Sequence, residues 1–201
     1  IADCILSAPP IIAGLAVTVI LAPWALRNLD LEEIPKISVA ASVFFVADLI
    51  HIPLGAASLH LVLNGLVGVV VGRRAFVAIL LGIILQFLMF GHGGLTVIGV
   101  NTLMMGVGSL AAYGIWQLRH RVDWARKETI FGALAGAGAM LISGIILALA
   151  LLTTATEFNA AAAAALAWHI PLMLLEGAVV AACTTFLTRV KPSLLAGHIS
   201  H

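Results

Sequence analysis

The sequence predicts an all-α, polytopic membrane helix bundle of about seven transmembrane helices, with the N-terminus outside and the C-terminus cytoplasmic. Two observations indicate this fold class: 62% of the 201 residues are hydrophobic, and only 9% are charged. A soluble domain carries roughly a quarter charged residues. Since about 20 apolar residues cross a membrane, the chain has room for one transmembrane domain over residues 1–201 and little else.

Apolar stretches separated by short polar interruptions predict the individual spans. They cover residues 9–26, 37–50, 54–72, 75–90, 95–118, 130–153 and 160–188. The second to fourth stretches are short for a full crossing. They therefore predict a locally thin bilayer, helices extended by flanking residues, or partial burial within the bundle.

The basic residues set the predicted orientation, because they lie only in alternate gaps between the spans. The ten are Arg27, Lys36, Arg73, Arg74, Arg119, Arg121, Arg126, Lys127, Arg189 and Lys191. Cytoplasmic loops carry the excess of Lys and Arg, which places the N-terminus outside and the C-terminus inside. A net charge of +1 without a basic run that contains aromatic residues excludes a nucleic-acid partner. Lipid, other membrane subunits or a small ligand remain as partners.

Several enzyme classes are excluded by missing motifs. The sequence contains no H-E-x-x-H, no G-x-S-x-G and no G-x-x-x-x-G-K-[ST], so we predict that it is not an enzyme and does not itself hydrolyse ATP. Cys4 and Cys183 belong to no paired-cysteine motif. The start at Ile1 lacks a basic segment typical of a cleavable signal and lacks a methionine, which predicts a processed start or residues ahead of Ile1.

Histidines collect at the predicted outer face. His51 follows the end of the second span, His60 lies in the first part of the third, and His92 lies between glycines. Neutral imidazole is the commonest protein ligand of late first-row metals, so this set predicts a site for nickel, cobalt, copper or zinc. A structural role remains open for each: an interfacial or hydrogen-bonded histidine at His51 and His60, and a tight glycine turn at His92.

Four polar residues within the spans should face protein or water rather than lipid. Asn64 and Asn101 are candidates for helix-to-helix hydrogen bonds, and both lie near enough to the outer face to orient an imidazole. Gln86 is the third. Glu176, the carboxylate well inside a span, is a candidate for an ion pathway or proton relay with His169, or for an interhelical hydrogen bond.

Four stretches carry a resemblance to a known family: residues 1–9, residues 53–65 with Ser58-Leu59-His60-Leu61, residues 86–106, and the closing helix from His169 to Pro192. The third is the most specific, with Gly91-His92-Gly93-Gly94 followed by Asn101 and Met105-Gly106. In these stretches the sequence resembles the CbiM/NikM family, the substrate-capturing membrane subunits (S components) of energy-coupling-factor cobalt and nickel importers. It is more similar to the cobalt-type members.

The resemblance implies a metal site. His60 matches the family's loop ligand, and the other ligands are expected from a Met-His pair, with its terminal amine, ahead of Ile1. His92 is the second candidate ligand. Residues that would position the ligands or their loops are Asp3, Ser58, Asn64 and Asn101. Cys4 replaces the family's glycine, which implies backbone strain in the N-terminal loop or a thiol near the metal.

The resemblance also implies a function: capture and membrane passage of Co(II) for an ATP-driven importer that feeds cobalamin synthesis, in a prokaryotic inner or plasma membrane. Expected partners are a coupling transmembrane subunit (T component), cytoplasmic ATPase subunits and a small accessory membrane subunit. No permanent cofactor is expected, only the transported Co(II) or Ni(II). The alternatives are a nickel-specific member of the family, or an ion channel or secondary transporter that uses Glu176 and His169.

Overall fold

The computed structural model describes residues 1–54 and 57–196, and the side chains of residues 51–60 lie outside this description. Seven α-helices form the described fold: α1 Ala8–Leu26, α2 Ile34–Asp48, α3 Asn64–Val71, α4 Ala75–Phe90, α5 Ile98–Gln117, α6 Lys127–Leu152 and α7 Asn159–Val190. Two short strands, β1 His51–Leu54 and β2 Ala57–His60, connect α2 to α3. The predicted all-helical membrane class is confirmed, with this hairpin as an addition.

The hairpin changes the third predicted span. β1 and β2 pair antiparallel with His51 opposite His60, and the helix that follows has only eight residues. At 1.5 Å per residue α3 is about 12 Å long, well short of a hydrocarbon core of about 30 Å. The stretch 54–72 is therefore not one continuous helix. Leu63, which has a left-handed φ of 56°, is the N-cap of α3, so the helix begins only at Asn64.

Five helical stretches in the described part of the chain are long and apolar enough to cross a membrane: Ala8–Leu26, Asn64–Phe90, Ile98–Arg121, Lys127–Leu152 and Thr156–Val190. The second of these combines α3 and α4 across a turn at Gly72–Arg74, where Gly72 has a φ of 60°. α2, with 15 residues, is not among them. The predicted count of seven spans and the orientation of the termini stay predictions.

One end of the bundle, here called the basic end, collects the turns 27–33, 72–74 and 118–121 and the chain near Ala196. The buried guanidinium of Arg74 donates to the carbonyl oxygens of Arg27 and Asn28 at 2.9 and 2.7 Å and to the Glu33 carboxylate at 2.7 Å. The carbonyl oxygen of Ala196 accepts from the Trp116 indole at 3.2 Å. These contacts fix the α1–α2 connection and the C-terminal segment to the same end.

The opposite end, here called the N-terminal end, holds residues 1–7 and the turns 91–97 and 153–158. The backbone N–H of Asp3 donates to Gly93 at 2.7 Å, and that of Ser7 to the Thr154 hydroxyl at 3.3 Å. Fully buried side chains, among them Phe44, Phe76, Ile79 and Trp116, fill the bundle between the ends. The core thus separates two polar ends of different composition.

Candidate functional site

The N-terminal segment is held on α5 by Asn101. The Ile1 nitrogen donates to Oδ1 of Asn101 at 2.9 Å, and Nδ2 of Asn101 donates to the Ile1 carbonyl oxygen at 3.0 Å. Asn101 is almost fully buried, so this two-sided contact fixes the Ile1 backbone against the bundle interior. The predicted positioning residue therefore contacts the start of the described chain directly, whereas its role toward a metal stays a prediction.

Asp3 ties the same segment to the turn after α4. Its carboxylate accepts from the backbone N–H of Thr96 at 3.2 Å and from the Thr96 hydroxyl. Three residues of this contact region have left-handed backbone: Cys4 with φ 66°, Gly93 with φ 82° and Gly94 with φ 123°. An L-residue adopts such angles at a cost, so Cys4 lies where glycine fits the backbone better.

A cavity of about 170 Å³ opens beneath Ile1. Its polar or titratable lining residues are Asp48, Gln86, His92, Asn101, Ser143 and His169, and its other lining residues are Ile1, Val62, Ile83, Met104, Met105, Met140, Leu147 and Leu172. Nε2 of the buried Gln86 has no hydrogen-bond partner among the described residues. The cavity therefore combines imidazoles, a carboxylate and amides with an apolar floor.

A buried carboxylate shares this cavity with Ile1. Asp48, the last residue of α2, is itself buried and lines the same cavity. The cavity therefore offers a carboxylate that a cation could contact.

The two histidines of the cavity come from different elements. His92 follows Gly91, which ends α4 with a φ of 63°, and its side chain is exposed at the cavity. In α7, Nδ1 of His169 lies 2.7 Å from the Ala165 carbonyl oxygen. A carbonyl oxygen only accepts, so Nδ1 is the donor in this contact. The ring packs on Gly144, where an added Cβ would lie 2.8 Å from it.

The best candidate ligand lies at the end of the hairpin. The backbone of His60 pairs with that of His51, and β2 ends there. The side chains of Ser58 and His60 lie outside the description, so their predicted roles stay predictions. Val62, two residues beyond His60, lines the cavity. The backbone thus brings the His60 segment to the edge of the cavity that also holds Ile1 and His92.

Asn64 and Glu176 lie deeper in the bundle. Nδ2 of Asn64 donates to the Met105 carbonyl oxygen at 3.2 Å and to the Ser143 hydroxyl at 3.0 Å, which makes it a bridge between α3, α5 and α6. Oε1 of Glu176 accepts from the backbone N–H groups of Val62 and Leu63 at 2.6 and 2.8 Å. The interhelical hydrogen bond expected of Asn64 is present, and Glu176 bonds to a loop backbone.

Among the described side chains, no three of His, Cys, Asp and Glu come together in a group able to hold a metal ion. The sequence did not single out Ser143 or the methionines Met104, Met105 and Met140 as cavity residues. Ser143 had a signal, since it is an isolated hydroxyl within an apolar span. The methionines had none, because a methionine in a span is equally compatible with core packing.

Comparisons with known proteins agree along nearly the whole chain. The CbiM family, described as the cobalt uptake substrate-specific transmembrane region, matches residues 1–194. A putative metal transport protein of Haemophilus influenzae is 29% identical over 97% of this chain and 96% of its own length. A putative cobalt transport protein CbiM 1 of Methanocorpusculum labreanum is 31% identical over 95% of this chain and 84% of its own length.

The fold is also similar to a solved structure. The crystal structure of a transition metal transporter superposes with a TM-score of 0.75 at 20% sequence identity, covering 94% of this chain and 92% of the other. At that identity the similarity concerns the fold.

Proposed function

The chain belongs to the CbiM family of cobalt-uptake, substrate-specific membrane components, and from this premise we propose that it captures Co(II) at the N-terminal end of its bundle. That end faces the outside of a prokaryotic inner or plasma membrane. The observation that carries the proposal is the convergence of the Ile1 backbone, His92 and the segment next to His60 on one cavity. The positive-inside pattern of the basic residues supports the orientation.

In this proposal His60 is the ligand from the hairpin, and a Met-His pair ahead of Ile1 supplies the remaining nitrogen ligands. The contact of Asn101 with both polar backbone atoms of Ile1 supports the second part, because it fixes the Ile1 backbone beside the cavity. Asp3 holds the same loop through Thr96. His92 at the rim is the second candidate ligand.

The metal is cargo, and the chain lacks a nucleotide-binding P-loop. We therefore propose that a coupling membrane subunit, cytoplasmic ATPases and a small accessory membrane subunit complete an ATP-driven importer, which feeds cobalamin synthesis when the cargo is cobalt. The mixed-charge turns at the basic end, residues 27–36 and 119–128, are the proposed contacts. Nitrogen ligands suit Ni(II) as well as Co(II), so a nickel-specific member is the second candidate.

The test is calorimetric titration of the purified chain, with Met-His restored ahead of Ile1, against Co(II) and Ni(II) separately. We expect one high-affinity site and a loss of affinity of at least about 100-fold in His60→Ala, because a proposed metal ligand is removed. His120→Ala at the basic end is the matched control and should bind as the wild type does. Equal binding by His60→Ala and wild type would overturn the assignment of His60, and binding of neither metal by the wild type would overturn the proposed function.

A further inference from the structure

Glu176 is the carboxylate that secures the exit of the hairpin, and we infer that it is a positioning residue of the proposed metal site. Oε1 accepts from the backbone N–H of Val62 at 2.6 Å and from that of Leu63 at 2.8 Å. Glu176 is fully buried, with 0% exposure. The inference rests on the proposed function, since it concerns where the His60 segment sits.

The N-cap residue of α3 has no side chain that could replace this carboxylate as a hydrogen-bond acceptor. Leu63 occupies the N-cap position of α3, has a φ of 56°, and makes no side-chain hydrogen bond to the helix start. Backbone N–H groups at a helix start have no partner within the helix, and leaving them unpaired inside a bundle is costly. One oxygen of Glu176 thus satisfies two adjacent donors and fixes their direction.

Close helix packing sets the reach of Glu176. A Cβ added at Gly136 of α6 would lie 2.6 Å from the carbonyl oxygen of Glu176, and one added at Gly65 of α3 would lie 2.8 Å from the Gly136 Cα. The three helices therefore approach each other backbone to backbone at this level. Because side-chain volume is missing on α3 and α6, α7 can lie near enough for Glu176 to contact the loop.

The anchored amides are close to the predicted ligand in the chain. His60 ends β2, and Val62 lines the cavity only two residues later. On the other side, the backbone N–H of Leu61 donates weakly to the Ile50 carbonyl oxygen at 3.4 Å. Metal coordination requires ligand distances within about 0.2 Å of their ideal values. A fixed point on α7 therefore limits how far the backbone that leads to His60 can move relative to the cavity.

The experiment compares Glu176→Ala, Glu176→Gln and a matched control in the full chain with Met-His ahead of Ile1. Thr184→Val is the control: Thr184 is also fully buried on α7 and donates to the Glu128 carbonyl oxygen at 3.1 Å, toward the basic end. Two quantities are measured for each variant: the Kd for Co(II) by calorimetry, and hydrogen exchange of the peptide covering residues 61–66 by mass spectrometry.

We expect Glu176→Ala to weaken Co(II) binding by about 10- to 100-fold, the range typical of residues that orient a ligand, and to speed exchange of the peptide. Glu176→Gln keeps an acceptor of the same shape and should fall between Glu176→Ala and wild type. Thr184→Val should lose stability while its Kd and the exchange of residues 61–66 stay unchanged.

Several outcomes would overturn the inference while sparing the proposed function. One is unchanged exchange in Glu176→Ala. Another is faster hydrogen exchange in Glu176→Ala with an unchanged Kd for Co(II), when His60→Ala measured in the same way has lost binding. Equal weakening by Thr184→Val would reduce Glu176 to a general stability role. If wild-type chain binds neither Co(II) nor Ni(II), the proposed function fails, and the positioning role fails with it.

Discussion

Gly94→Ala should impair metal capture by displacing the N-terminal loop. Gly94 has a φ of 123°, and a Cβ there would overlap the Asp3 carboxylate. Backbone strain of this kind costs about 1–3 kcal/mol. Displaced Asp3 also loses its contacts to Thr96, at about 1.5–3 kcal/mol for a hydrogen bond to a charged group. Together the two terms destabilise the docked loop by about 2.5–6 kcal/mol.

Because about 1.4 kcal/mol corresponds to a factor of ten, Co(II) affinity should fall by about 60-fold or more if the docked loop carries ligands. Calorimetric titration measures this directly. Gly91→Ala is the matched control, since Gly91 also has a left-handed φ of 63° but nothing within 4 Å of an added Cβ. It should stay within about tenfold of wild type. Equal losses in both variants, or wild-type affinity in Gly94→Ala, would refute the reasoning.

Two further predictions concern strain and charge. Cys4→Gly should raise the free energy of unfolding by about 1 kcal/mol, because Cys4 has a φ of 66° that glycine adopts without strain. The measurement is thermal unfolding in detergent. Cys4→Ala keeps the strain, so an equal gain in that variant would contradict this cause. The hydrogen bond from Arg74 lowers the pKa of Glu33. The stability that this carboxylate contributes to the fold is therefore complete above its ordinary pKa of 4.5 and is lost as the pH falls through the lowered pKa. The difference in free energy of unfolding between wild type and Glu33→Gln should therefore narrow as the pH falls below 4.5 and through the lowered pKa. A difference that does not change with pH would count against the pairing of Glu33 with Arg74.

The fold class and one part of the site could be predicted from the sequence, because each depends on local information. Hydropathy alone indicates a helical membrane protein, and the glycines around His92 mark a turn, which the structure places between α4 and α5. Cys4 is instructive. Its replacement of a family glycine implied strain, and the backbone angle there is left-handed.

The remaining features depend on contacts between distant residues. Nothing near Leu63 indicates that the helix start will be completed by a carboxylate 113 positions away. An apolar stretch such as 54–72 has the hydropathy of a span, so a hairpin that replaces its first half is invisible to a hydropathy argument. Asp48 ends the second predicted span, on the predicted outer side, and folding is what places it in the same cavity as Ile1.

Two buried polar side chains of the bundle hold two different loops at one cavity. Asn101 on α5 fixes Ile1, and Glu176 on α7 fixes the exit of the hairpin. A polar group within a bundle is costly unless it is paired, so each of these residues favours the docked position of its loop over a displaced one. Under the proposed function the metal joins the two loops through ligands from both. The affinity for the metal then depends on both Asn101 and Glu176. If either contact is weakened, the free energy of ordering that loop is subtracted from the free energy of metal binding.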